Sequence, residues 1–169
     1  GSIPLFSSSG GHRFSFGQTE SKEEWVKHIH EVMKPYTEKT KVRKIKHEKI
    51  SNKYSQREYY SWVFYTSVNA IFTALRERWY SNPNEARSKK IVPKDIELNW
   101  RSIAVWFADD GTNRSQDRWC MFASESFSKK ENEFLMEILN SFGVEHCSLN
   151  KRKKDQYRIR IGSESYDYF

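Results

Sequence analysis

Cysteine, proline and glycine are scarce: the 169 residues hold two, four and seven of them. Cys120 and Cys147 stand apart without Cys-x-x-Cys spacing, which argues against a thiolate zinc cage and a disulfide scaffold. Both are read as reduced strand residues, as expected of an intracellular compartment. No apolar run approaches the ~18 residues of a membrane-spanning helix. There is no glycine-rich phosphate loop, and nothing marks a nucleophile elbow. His28 and His30, two apart on an expected helix, face different ways and do not make a metal pair. The chain starts Gly1-Ser2 rather than Met, which reads as trimming, processing or a tag, so the lack of a targeting segment carries no information.

Positive charge and aromatic rings are plentiful. Twenty-nine Lys and Arg against 22 Asp and Glu give a formal net charge of +7. Such an excess points to a polyanionic partner, most simply nucleic acid, unless the chain is only a soluble basic protein. The hydrophobic fraction is 37%, but 15% of residues are aromatic, and large rings bury much surface each. The length suits one domain, or two small halves sharing a core.

Periodicity gives an alternation of elements. Residues 12–16 alternate as a half-buried strand, with Phe14 and Phe16 inward. A helix follows to about Met33, with Trp25, Ile29, Val32 and Met33 as its stripe and Pro35 as its stop. Residues 41–50 read as an exposed basic strand and loop, residues 58–66 as an aromatic strand. Residues 68–80 read as a helix with Ile71, Phe72, Leu75 and Trp79 on one face. A loop or linker holds Pro83, Lys89, Lys90 and Pro93. The order then restarts. An apolar run at 103–107 ends in Asp109-Asp110-Gly111, and residues 119–127 look strand-like. Ser128 caps a helix to about Phe142, closed by Gly143. Residues 144–149 and 157–161 form a hairpin around a basic loop, and a last helix begins at Ser163. The halves echo each other: Phe14 to Gln18 resembles Met121 to Glu125, and Tyr60 to Thr66 resembles Tyr157 to Ile161. Duplication implies a pseudo-twofold molecule, suited to a long, roughly symmetric duplex site.

Ile103-Ala104-Val105-Trp106-Phe107-Ala108-Asp109-Asp110-Gly111 resembles the nine-residue signature of the LAGLIDADG homing endonucleases. Trp62 to Thr66 with Asn69, Phe72, Leu75 and Trp79-Tyr80 resembles the end of that family's first repeat. Residues 90–96 resemble its inter-repeat linker, and Ser124 to Ser128 with Lys130-Glu131 the strand-to-helix step of its second repeat. The resemblance implies an α+β fold of two pseudo-symmetric αββαββα repeats, with antiparallel sheets forming a saddle over DNA. The expected division is 1–81 for the N-terminal repeat without its first helix, 82–101 for the linker and 102–169 for the C-terminal repeat. The first LAGLIDADG helix is expected upstream of Gly1 or from a second chain or segment, and the family's last helices beyond Phe169.

The resemblance also implies chemistry. Asp110 corresponds to the acid that holds Mg²⁺ beside a scissile phosphate, with Gly111 completing the motif's end. Lys90 corresponds to a basic residue near the cleavage centre. Each has a plainer reading, as a helix-ending turn and as a solvated lysine. Asp109 is assigned a supporting or capping role. Ala104 and Ala108, at i and i+4, share a helix face that allows close approach of a second helix. Arg13, Ser15 and Gln18, then Arg43, Lys44 and Lys46, then Arg158 and Arg160 are expected on outward strand registers, reading base edges. Lys53, Arg57, Lys151, Arg152, Lys153 and Lys154 are expected at strand tips gripping phosphate, and Thr112, Asn113 and Arg114 near the centre. The expected function is Mg²⁺-dependent, site-specific cleavage of duplex DNA by an intron-encoded enzyme of an organelle such as the mitochondrion. The alternative is a cleavage-inactive descendant that binds RNA, as a maturase or an organellar ribosome subunit. Only one of two expected acids is in the chain.

Overall fold

A computed structural model describes residues 11–47, 58–85 and 88–169. It is an α+β structure with two antiparallel sheets, and it divides into two compact units. One comprises Gly1–Arg78 with Asn82–Ser88, the other Trp79–Ser81 with Lys89–Phe169. Among the described residues no helix is long and apolar enough to cross a membrane.

In the first unit, β1 (Ser15–Thr19), β2 (Arg43–His47) and β3 (Tyr59–Tyr65) make a sheet in the order β1-β3-β2. Helix α1 (Glu23–Val32) packs on one face of it. Its Val26 is fully buried with Phe16 and Phe64, and Trp25, Ile29 and Met33 flank that core. Pro35 does not simply stop the chain. It occupies the first turn of a second short helix, α2 (Lys34–Thr37), where its missing N–H has no intrahelical partner to lose. Helix α3 (Ala70–Trp79) buries Phe72 and Arg76. Ile71, expected on the same inward face, is 45% exposed instead.

In the second unit, α4 (Trp100–Asp110) leads into β4 (Gly111–Arg114), followed by β5 (Trp119–Phe122), α5 (Lys129–Ser141), β6 (Cys147–Lys153) and β7 (Gln156–Ile161). The sheet order is β4-β5-β7-β6. Cys120, Phe122, Ile159 and Ile161 face a core shared with Ile103, Leu135, Leu139 and Val144. The strand order β5-β7-β6, with a helix between the first and second strands in sequence, repeats β1-β3-β2 of the first unit. That recurrence is the structural form of the sequence echo.

Several boundaries differ from expectation. The strand expected through 127 ends at Phe122, because Asn132, fully buried, donates from Nδ2 to the carbonyls of Ser124, Phe127 and Ser128 and folds 124–128 into a turn. Residues 151–153 are strand rather than loop. β6 continues to Lys153 through an irregularity after Lys151, and Asp155 makes the turn at φ 58°. The last segment, Ser163–Tyr168, is a 3-10 helix.

Candidate nucleic-acid and metal site

Asp110 is the last residue of α4, and local bonds fix both ends of that helix. Asn99 caps its start: Asn99 Oδ1 accepts from the Ser102 N–H at 2.9 Å, and Ser102 Oγ accepts from the Asn99 N–H at 2.8 Å. Such a cap contributes about 1 kcal/mol. At the other end the Gly111 N–H donates to the Phe107 carbonyl. A Cβ on Gly111 would lie 2.2 Å from that oxygen and 2.4 Å from the Phe107 ring, so only glycine lets the helix turn directly into β4. The Ala123 N–H donates to the Asp110 carbonyl at 2.9 Å, fastening the helix end to the residue after β5.

Beside this helix end lies a cavity of about 380 Å³, lined by Lys90 and Asp110 among apolar walls that include Trp79, Trp106, Phe127 and Leu135. Lys90 is placed by two backbone anchors. The Ile91 N–H donates to the Trp79 carbonyl and the Ser81 N–H to the Lys89 carbonyl, both at 2.9 Å. A third anchor follows at Val92, whose N–H donates to Glu131 Oε1 at 2.9 Å. The other oxygen of Glu131 accepts from the Ser128 N–H at 2.7 Å and closes the capping box of α5. Burial works against this carboxylate, but the bonds from Ser128 and Val92 hold its pKa below the ordinary value. One glutamate therefore starts a helix and pins the segment that presents Lys90.

Asp110 remains exposed as a residue, yet partial burial of its carboxyl, and then the neighbouring Asp109 charge, raise its pKa. Lys90 opposes that rise and Glu125 adds to it. Negative potential gathered around a carboxylate is what a divalent cation relieves. Among the described residues no group of three or more His, Cys, Asp and Glu is close enough to hold a metal. Mg²⁺, however, commonly takes one or two carboxylates with water and substrate phosphate completing its shell. The donor set present fits such a shared ion.

The same unit carries an open sheet face. Strand pairing puts Thr112 opposite Met121, Arg114 opposite Trp119, Met121 opposite Arg160, Ser148 opposite Arg160 and Asn150 opposite Arg158. All point away from the face of Cys120, Phe122 and Ile159, because strand side chains alternate. Trp119 lies between two guanidiniums, with Arg114 at 5.5 Å and Arg160 at 5.3 Å from its ring. Arg158 is ion-paired to Glu125.

Comparison with known proteins fixes the lineage of this arrangement. The family model described as "LAGLIDADG DNA endonuclease family" matches residues 1–169. The chain belongs to that family. It is 33% identical over 89 residues to a probable intron-encoded endonuclease 1 of Wickerhamomyces canadensis, covering 48% of this chain and 38% of the relative. It is 31% identical over 100 residues to an uncharacterized protein of Methanocaldococcus jannaschii, covering 57% and 36%. The chain thus spans little more than a third of the length of these relatives. In fold it is similar to the homing endonuclease I-WcaI, solved bound to its DNA recognition sequence, with a TM-score of 0.78, 23% identity, and coverage of 99% of this chain and 72% of that one.

The LAGLIDADG-type helix is α4, and its Ala104 and Ala108 are exposed along with Val105. In the first unit, the register separates residues expected to act together. Arg43 pairs opposite Val63 and Ser15 opposite Tyr65, on the face away from Phe16, Phe64 and Trp62. Gln18 and Lys44 both lie opposite Trp62, and Lys46 lies opposite Tyr60, on the helix-packed side. Gln18 is three positions from Ser15, so strand alternation forbids the shared outward register expected of them. Lys44 is paired with Glu20 and Lys46 with Glu58 at 2.7 Å. Arg13 stacks on Tyr65 at 4.3 Å. Asn113 turns to the opposite side from Thr112 and Arg114, and its Oδ1 accepts from the Tyr166 hydroxyl at 2.7 Å. Lys151, Arg152, Lys153 and Lys154 are all exposed at the β6–β7 tip. Lys53 and Arg57 lie outside the described residues. Sequence reasoning missed Trp119: Arg114 precedes it closely but on a strand that carries no alternation, and Arg160 comes from β7, distant in the chain, so only the pairing register brings the three together.

Proposed function

We propose that the protein to which this chain belongs cuts duplex DNA at a specific site with a divalent cation, Mg²⁺ being the expected one. The observation that carries this reading is Asp110 at the tip of α4, lining one cavity with Lys90 beside a sheet whose open face bears Thr112, Arg114, Trp119, Arg158 and Arg160. Open-face arginines suit guanine edges in the major groove, and the exposed 151–154 tip suits phosphate. Asp110, with the Gly111 backbone beside it, would hold the cation. The bound ion would polarise the phosphate and lower the pKa of its water. Lys90 would place positive charge near the scissile phosphate, and Asp109 would support the local negative potential. Ala104 and Ala108 would receive a second helix of the same type, from a preceding segment or a second chain. The division into residues 1–81, 82–101 and 102–169 belongs to this reading, as does an organellar intron as its source.

Asp110→Asn tests it. In the full-length protein, cleavage of a duplex library in Mg²⁺ is expected to fall more than about a hundredfold, beyond the 10–100-fold typical of residues that only support a metal ligand. Duplex binding measured in parallel is expected to persist. Undiminished cleavage by the variant overturns the role of Asp110. Preference for structured RNA over duplex DNA, with no cleavage by the unmodified protein, overturns the whole reading.

A further inference from the structure

The first unit holds a second cationic feature, built by a turn instead of a strand. Residues between α2 and β2 enclose a cavity of about 190 Å³ lined by Arg13, Lys39, Thr40, Lys41, Arg43 and Tyr65. Four of the six are cations and none is an acid. The cavity is small beside the ~300–1,000 Å³ of pockets that enclose drug-sized ligands. It has room for a compact tetrahedral anion.

The turn is held before any ligand arrives. Thr37, 2% exposed, donates from Oγ1 to the carbonyls of His30 and Met33 at 3.1 and 3.3 Å. Thr40 donates to the Thr37 carbonyl from its N–H at 2.8 Å and from its hydroxyl at 3.0 Å. His30 Nε2 lies 3.3 Å from the Thr40 carbonyl. On the opposite wall, the Arg13 guanidinium lies over the Tyr65 ring. Lys39 and Lys41 therefore project from a fixed turn toward arginines already positioned, and little order has to be gained on binding.

We propose that this cavity is an anion site that seats one phosphate of a nucleic-acid backbone. The duplex as source of that phosphate rests on the function proposed above; the site itself does not. Arg13 and Arg43 flank the open face of the β1-β3-β2 sheet, so a phosphate held there would fix a duplex in register along that face, as backbone contacts do.

The test uses the full chain, inorganic phosphate and a duplex of arbitrary sequence. Lys39→Gln/Lys41→Gln is compared with Lys27→Gln/Lys34→Gln, a charge-matched variant whose lysines already pair with Glu23, Glu24 and Glu31 on the helices. Saturable amide shifts at Thr40 and Lys41 are expected on adding phosphate to the unmodified chain and to the helix variant, and not to the turn variant. With duplex, the turn variant is expected to reduce the slope of log affinity against log salt by about 0.9, one phosphate's worth, and the helix variant to leave it unchanged. Absence of saturable shifts in the unmodified chain, or equal slopes for the two variants, overturns the proposal. Saturable phosphate binding by a chain that ignores duplex DNA keeps the anion site and overturns the duplex reading instead.

Discussion

The two sheets share a strand order but hold their helices in different ways. In the second unit, nine buried residues, mostly aliphatic, form one cluster, and both long helices begin in complete capping boxes. In the first, the described core is Phe16, Val26 and Phe64 with a surround of rings. Much of what is buried beside it is polar: His12, Thr37, Thr66 and Arg76. Arg76 donates to the carbonyls of Pro83 and Glu85, each at 2.6 Å, and ties residues 82–85 to α3. A repeated topology can thus rest on apolar burial in one copy and on buried hydrogen bonds in the other.

The contrast can be broken experimentally. Leu139→Ala, at a fully buried position in the aliphatic cluster, is expected to cost about 2–5 kcal/mol, read as lost hydrogen-exchange protection in β5 and β7. A loss under 1 kcal/mol would show that the cluster is not what holds that unit. Arg76→Leu comes next, at about 1.5–3 kcal/mol, the range for hydrogen bonds made by a charged group, with lost protection centred on α3 and residues 82–85. A neutral or stabilising outcome would mean that apolar packing can replace those bonds, and the contrast would fall.

The smallest effect is a matter of pH. Burial, followed by the Arg76 charge, lowers the pKa of His12 from 6.5. The folded state then binds its proton less readily than the unfolded one, so stability is full above about 6.5 and declines as pH falls below it. Glu131 has its pKa lowered from 4.5, and the stability it adds is lost only as pH falls through its folded pKa. Protection of Phe64 is expected to weaken as pH falls below about 6.5 while that of Ile159 holds until more acidic conditions. Simultaneous weakening of both would remove the distinction, and His12→Gln should abolish the earlier step.

The helices were legible because their apolar stripes and caps are local. Ser128 and Glu131 announce α5 three residues apart, and Trp25, Ile29 and Met33 mark α1. β4 was not legible: Gly111-Thr112-Asn113-Arg114 has no apolar alternation, and the strand exists because β5 offers its backbone as a partner. The basic run at 151–153 read as loop for a similar reason, since pairing with β7 carries β6 past its last apolar residue, Leu149. The Asp110 motif was legible as a pattern, but its shared cavity with Lys90 depends on backbone anchors at Trp79 and Ser81. The cluster of Lys39 and Lys41 with Arg13 and Tyr65 was not legible, because those neighbours are remote in the chain.

Both native thiols sit on strands that flank β7, where Ile161 pairs with Cys120 on one side and with Cys147 on the other. Two strand spacings separate them by roughly 9–10 Å, outside the ~7 Å limit for bridging. Burial pushes both thiols up to about 11, so at neutral pH only about one in ten thousand is ionised and reactive. A single cysteine introduced at an exposed site would therefore take a maleimide fluorophore cleanly, with both native thiols left in place.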